Sequence, residues 1–254
     1  MNVLQVFKES SSIAMDIERA EASRNVAVLL TLSGGFLDAF TYLGHGKVFA
    51  SSMTGNIVLL AINLGAGDWH QAGRHISPIV GFACAVLAAY LLQLTAPRWA
   101  RNHALISLVF EIVFLLMASL RGLPEFWLIP GISFVATLQT MFFTHSGNVT
   151  YTSVMTTANL RRCMQLFLES TIPRRDASGL NDAAMLGVIS LSFAIGALVG
   201  GLTTPRLHDA GLCVPAALLF IALLDICRRL QRGNSTVTSG AASRPDGQVS
   251  RRKY

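Results

Sequence analysis

The chain has 254 residues, of which 52% are hydrophobic and only 13% charged, with a mean hydropathy of +0.51. A soluble domain carries about 25% charged residues, so this composition excludes an ordinary water-soluble protein and points to membrane spans joined by charged loops. The net charge of +6 does not indicate a nucleic-acid partner, because the basic residues sit at the ends of apolar segments and in the C-terminal tail.

Residues 1–24 contain Glu9, Asp16, Glu18, Arg19, Glu21 and Arg24, which rule out a signal-peptide hydrophobic region. A short amphipathic helix is expected there, with Val3, Phe7, Ile13 and Ile17 on its apolar side. A helix needs about 20 apolar residues to cross the hydrocarbon. Six segments approach that length: 26–43, 76–96, 104–120, 126–143, 183–202 and 212–230. Two others fall short of it. Segment 47–64 opens on the polar run Ser51-Ser52-Met53-Thr54-Gly55-Asn56, and segment 149–168 holds Arg161 and Arg162 near its middle. Both are read as half-helices or re-entrant segments, since an arginine at a lipid-facing helix centre costs about 2.5–3.5 kcal/mol. The fold expected is therefore an all-α membrane protein of about six transmembrane helices with two half-helical segments.

With six spans and cytoplasmic termini, sixteen of the 20 Lys and Arg residues fall inside, and Lys47, Arg74, Arg121 and Arg206 fall outside. An eight-span count gives the same bias, so charge does not separate the two. Residues 1–24 then form a cytoplasmic segment, 25–230 the transmembrane domain, and 231–254 a disordered basic cytoplasmic tail.

The chain also repeats itself. Asp38-Ala39-Phe40 has a counterpart in Gln139-Thr140-Met141, Met53-Thr54 in Met155-Thr156, and Thr95-Ala96-Pro97-Arg98 in Thr203-Thr204-Pro205-Arg206. These matches divide the domain into halves of about 25–122 and 126–230. Three spans in each half would make the second an inverted copy of the first.

Asp38 lies inside the first span, with Thr31, Gly34 and Tyr42 on roughly its face. A carboxylate at that depth needs a partner, a proton or water. It is either an ion or substrate contact or a structural hydrogen bond to the 51–56 run. Ser52, Thr54, Gly55 and Asn56 form the leading candidate binding element, with Gln139 and Thr156 as counterparts of Asp38 and Thr54 in the second half. Glu111 is a second intramembrane carboxyl and a candidate proton-coupling group. Asp225 is explained by a local ion pair with Arg228 or Arg229. Gly196 and Gly200, extended by Ser192, form a small-residue stripe for close helix packing. Cys84, Cys213 and Cys227 are read as packing residues. The six histidines are read as interfacial, and no metal or cofactor is expected. No P-loop, nucleophile elbow or zinc-protease motif is present, so no enzymatic activity is expected.

Gly35-Phe36-Leu37-Asp38-Ala39, then Val48-Phe49, Met53-Thr54-Gly55-Asn56 and Gly67-Asp68-Trp69, resemble the YoaK family of bacterial membrane proteins over nearly all of residues 25–230. The second half departs from the family pattern, with Gln139-Thr140-Met141 in place of Gln-Asn-Ala and Thr156-Thr157 in place of a Thr-Gly pair. The resemblance implies a bacterial inner-membrane location and about six spans, and supplies no substrate. Two functions are expected from these residues: a small permease for a small solute, or a non-transporting scaffold or sensor. The bilayer is the expected partner, and a second copy of the chain is a candidate one.

Overall fold

The computed structural model describes residues 21–95, 103–172 and 176–242; the expected N-terminal amphipathic helix and the end of the tail lie outside them. In chain order the helices are α1 (Arg24–Gly44), α2 (Met53–Gly65), α3 (Trp69–Thr95), α4 (His103–Arg121) and α5 (Glu125–Phe142). A ribbon of β1 (His145–Ser146) and β2 (Val149–Thr150) precedes α6 (Thr156–Glu169) and α7 (Ala177–Leu207). A 3-10 turn, His208–Leu212, leads into α8 (Cys213–Ala242).

Among the described residues, four helical stretches are long and apolar enough to cross a membrane: Arg24–Gly44, Trp69–Leu94, His103–Arg121 and Ala177–Arg232. The last is two helices, α7 and α8, broken by the 3-10 turn, where Pro205 interrupts the backbone ladder and His208 takes φ 48°. α5 falls outside that set because it opens on Glu125 and carries Gln139. α2 and α6, at 13 and 14 residues, are too short to span about 30 Å at 1.5 Å per residue.

Several boundaries differ from those the hydropathy suggests. α3 begins at Trp69 rather than 76, because its polar first turns are tied down: Gln71 Nε2 donates to Gly46 O at 2.5 Å, and Asp68 Oδ1 accepts from Gln71 N–H at 3.0 Å. α7 begins at Ala177 rather than 183, capped by Asp176, which accepts from Ser178 N–H at 3.0 Å and Gly179 N–H at 3.3 Å. α8 stays helical through Ala242, well past the point where composition suggests a disordered tail. His75 lies inside α3 and is buried against Asn63.

The Asp176 cap carries a pH signature. Hydrogen bonds from the Ser178 backbone, the Ser178 hydroxyl and the Gly179 backbone hold its carboxyl below the ordinary aspartate range. A depressed carboxyl stabilises the fold above its unfolded value of about 3.9, and that contribution disappears as pH falls through the folded value. Asp176→Asn is expected to lower the melting temperature slightly at pH 7 and to flatten its decline below about pH 4, as read from thermal unfolding across pH.

Two sets of contacts fix the directions of the helices. At one end, His45 after α1 reaches Glu125 at the start of α5 (3.6 Å) and Asp209 in the 3-10 turn (3.3 Å). Arg74 near the start of α3 pairs with Glu125, and Ser119 near the end of α4 bonds Ala210 O at 3.4 Å. At the other end, Ser23 before α1 bonds Asp225 in α8 at 3.3 Å, and the rings of His103 and Phe142 sit 5.5 Å apart. Thus α1, α4 and α7 run one way, and α3, α5 and α8 the other.

α1 is the central helix, buried over most of its length. Val26, Leu30, Leu37 and Phe40 face a core shared with Leu108 and Leu115 of α4, Leu128 and Ile132 of α5, and Leu219 and Ile226 of α8. On the opposite side α1 lies along α7. The outer faces of α3 and α4 expose Ile76, Val80, Leu87, Phe110 and Val113, which suits lipid rather than water. Cys84, Cys213 and Cys227 are also exposed, which corrects their reading as packing residues. Asp225 pairs with Arg229 at 2.9 Å, the local ion pair expected of it.

Candidate functional site: two stapled half-helices at the bundle centre

After α1 the chain doubles back on Gly46 (φ 82°) and Lys47 (φ 59°) and re-enters the protein, burying Val48 and Ala50. A buried loop must satisfy its own backbone. Asn56 does so for Phe49: its carbonyl oxygen accepts from Phe49 N–H at 2.9 Å, and its amide donates to Phe49 O at 2.8 Å. Asp38 Oδ1 accepts from both the backbone and the hydroxyl of Ser51, at 2.7 and 2.9 Å. The loop is therefore fastened to α1 by a carboxylate and to α2 by a carboxamide, and α2 starts beside Asp38 rather than at the bundle's end.

The Met53-Thr54-Gly55-Asn56 motif follows from this geometry. A Cβ on residue 55 would lie 2.9 Å from the Phe49 ring, which explains the glycine. Tyr42 stacks on the other part of that arrangement, with its ring 4.9 Å from that of Phe49. Ser52 precedes the helix without making a side-chain cap. Thr54 is exposed, unlike the buried Asp38, Asn56 and Gln139.

The loop before α6 is held by bonds of the same kind. Asn159 Oδ1 accepts from Thr152 N–H at 3.0 Å, and its amide donates to Thr152 O at 2.7 Å, again across seven residues. Ser153 Oγ donates to Gln139 Oε1 at 3.1 Å, so Gln139 occupies Asp38's role and Ser153 that of Ser51. In the register that matches Asn159 to Asn56, Ala158 stands where Gly55 does and Thr152 where Phe49 does. Ser153 is missing from the sequence-based candidates, although it follows Ser51 at the same 102-residue offset that separates Met155 from Met53.

Helix neighbours repeat as well. α1 packs on α7 as α5 packs on α3; α1 on α8 as α5 on α4; α2 on α3 as α6 on α7. A Cβ on Gly34 would lie 3.0 Å from Ser153 O, which puts the second loop one turn along α1 from Asp38. The sequence-predicted residues Asp38, Asn56, Gln139 and Thr156 are therefore brought to one region, where α2 and α6 both begin.

The polar groups of the two loops are not equally satisfied. Asp38 and Asn56 are engaged by their own loop, as the structural alternative for Asp38 anticipates. Gln139 Nε2, in a side chain only 1% exposed, and Thr156 Oγ1 have no hydrogen-bond partner. Glu111 lies apart from the loops, on the core face of α4. Gly196 and Gly200 lie against the backbone of Leu32 and Phe36 on α1, so this stripe packs within the chain. Two recesses open elsewhere. One of about 360 Å³ lies beside His45 and Asp209, and one of about 810 Å³ runs between α3, α4 and α5 from Arg74 to Phe134.

Apolar spans, lipid-suited outer faces and a fastened polar centre define a multi-pass transmembrane protein. Residues 26–224 match the family described as a protein of unknown function, DUF1275, and the chain belongs to that family. It is 28% identical over 213 residues to the UPF0700 transmembrane protein YoaK of Bacillus subtilis (strain 168), covering 79% of this chain and 93% of that protein. No solved structure matches the chain.

Proposed function

We propose that the protein is a small permease of the bacterial inner membrane, built as an inverted pair of three-span repeats around a small-solute site. The observation that carries this reading is the paired staple, Asn56 on Phe49 and Asn159 on Thr152, which holds two short helices with their N-termini at the bundle centre. Discontinuous helices with N-termini near the midplane are a recurring way to bind solutes in transporters. Gln139 Nε2 and Thr156 Oγ1, unpartnered at the second loop, are available to a solute.

Six crossings fit the alternating helix directions, with α2 and α6 as half-helices. Arg161 and Arg162 are exposed on α6 and can reach an interface along their aliphatic stems, so they need not enter lipid. The positive-inside rule then puts both termini in the cytoplasm. A scaffold or sensor is the second reading, favoured by the fact that Asp38 and Asn56 are satisfied within their own loop.

Access from the two sides of the membrane distinguishes these readings. In a background with the four cysteines replaced by serine, Ser52→Cys and Thr156→Cys are treated with a membrane-impermeant maleimide in oriented vesicles. A permease predicts labelling of position 52 from the outer side and of position 156 from the cytoplasmic side. Labelling of neither until the protein is denatured would leave a closed core and favour the scaffold.

A further inference from the structure

Glu111 is a buried carboxyl that the loops do not use. It is 0% exposed, and neither carboxyl oxygen has a hydrogen-bond partner. It sits on the α4 face formed by Ala104, Leu108, Leu115 and Ala118, between two leucines of the main core. Ser33 of α1 is placed in the same way, between Leu30 and Leu37 on the helix face turned to that core, also 0% exposed and without a partner for its hydroxyl.

The two residues hold matching positions along their helices. α1 and α4 run in the same direction, and Ser33 and Glu111 lie nine and eight residues from the starts at Arg24 and His103. At 1.5 Å per residue both sit about 12–14 Å from that end, near the middle of a hydrocarbon layer about 30 Å thick.

The titratable groups on the elements packed against α4 are placed or engaged elsewhere. Glu125 of α5 pairs with Arg74, Asp209 of the 3-10 turn with His45, and Asp225 of α8 with Arg229. His208, Cys213, Cys227 and Arg228 belong to the exposed ends or outer faces of the 3-10 turn and α8. On α4 itself, His103 and Arg121 lie at the two ends. Among the described residues no cation faces Glu111. An ionised carboxyl with neither a counter-charge nor a donor is not stable in such surroundings, so the group that satisfies it is a proton.

We propose that Glu111, buried and unpartnered inside the core shared by α1, α4, α5 and α8, is a proton-binding site that exchanges its proton with one side of the membrane as the helices rearrange. The exchange step rests on the permease reading; the bound proton does not. Proton binding here is a simple transfer between the carboxyl and water admitted to the core, with no other bond made or broken.

Infrared difference spectroscopy of the full chain in lipid, wild type against Glu111→Gln, tests both parts. The expected result at pH 7 is a protonated-carboxyl C=O band in the wild type that is absent from the variant and shifts in deuterated buffer. Glu111→Asp, which keeps the carboxyl, should move the band rather than abolish it, and it serves as the second variant if Glu111→Gln does not fold. Carboxylate bands at pH 7 would overturn the bound proton. A protonated band that never exchanges in the folded protein would overturn the coupling while leaving the loop-based solute site to be judged by the maleimide experiment.

Discussion

Asn56→Ala is expected to cost about 2–6 kcal/mol of stability, since each of two orphaned buried groups costs about 1–3 kcal/mol. The substitution removes both hydrogen bonds to Phe49 and leaves a buried N–H and a buried C=O without partners. No water is at hand in the hydrocarbon to replace them, so the loop must either carry the penalty or withdraw toward the bundle's end. Withdrawal would also release Ser51 from Asp38. Asn56→Asp is a sharper probe than alanine. It keeps the acceptor for Phe49 N–H but sets an oxygen against the Phe49 carbonyl, so it should be at least as damaging despite its near-identical shape. Thr54→Ala, two residues before Asn56 on an exposed position, should be within about 0.5 kcal/mol of wild type. Asn159→Ala removes the matching pair of bonds to Thr152 and should cost a similar amount. Thermal unfolding of the four variants in detergent reads all of these. A large loss at Asn56 with none at Asn159 would mean that the second loop is held by other contacts and that the two halves are not built alike.

The membrane spans were legible because their signal is local: a run of apolar residues bounded by charge, proline or glycine. The starts of α3 and α7 were less so, because polar first turns are stabilised by residues far along the chain, such as Gly46 for Gln71, or by a cap that hydropathy does not weigh, as at Asp176. The candidate site was half legible. The polar run after Asp38 and its second copy could be seen as motifs, but not that Asn56 and Asn159 bond the backbone seven residues upstream. That depends on a loop turning back into the protein, which no periodicity records. Thr54 illustrates the limit: it is as polar as its neighbours, and only the helix phase sends it outward. The outward-facing cysteines teach the same lesson in reverse. An apolar surround in sequence means a packed interior in a soluble protein, whereas here it equally describes a surface facing lipid.

The second large effect is expected at the seam between α1 and α7. Gly196 lies against the backbone of Leu32, with Leu32 C and Cα only 2.8 and 2.9 Å from where a Cβ would be. Gly35 of α1 meets α7 in the same way, 2.9 Å from Phe193 C and 3.0 Å from Ala197 N. In both cases the obstacle is main chain, which cannot rotate aside as a side chain can. Overpacking typically costs about 1–3 kcal/mol and occasionally more, and a rigid obstacle belongs at the upper end. Gly196→Val and Gly35→Val should each sharply reduce the folded fraction. Gly200→Ala, whose added Cβ would meet Phe36 O at 2.7 Å, should be smaller but still unfavourable. Gly201 is the control: its nearest neighbour would be Leu43 Cδ1 at 3.9 Å, an ordinary contact. There alanine should be tolerated or slightly stabilising, because Gly costs a helix about 0.8–1.0 kcal/mol relative to Ala. Gly35→Val and Gly196→Val together should cost less than their sum, since either one already forces the seam apart. Folded yield and melting temperature across this series measure how tightly α1 is clamped by the other half. They bear on the candidate site because Asp38 and the Gly34 contact with Ser153 ride on the same helix that this glycine-lined seam holds against α7.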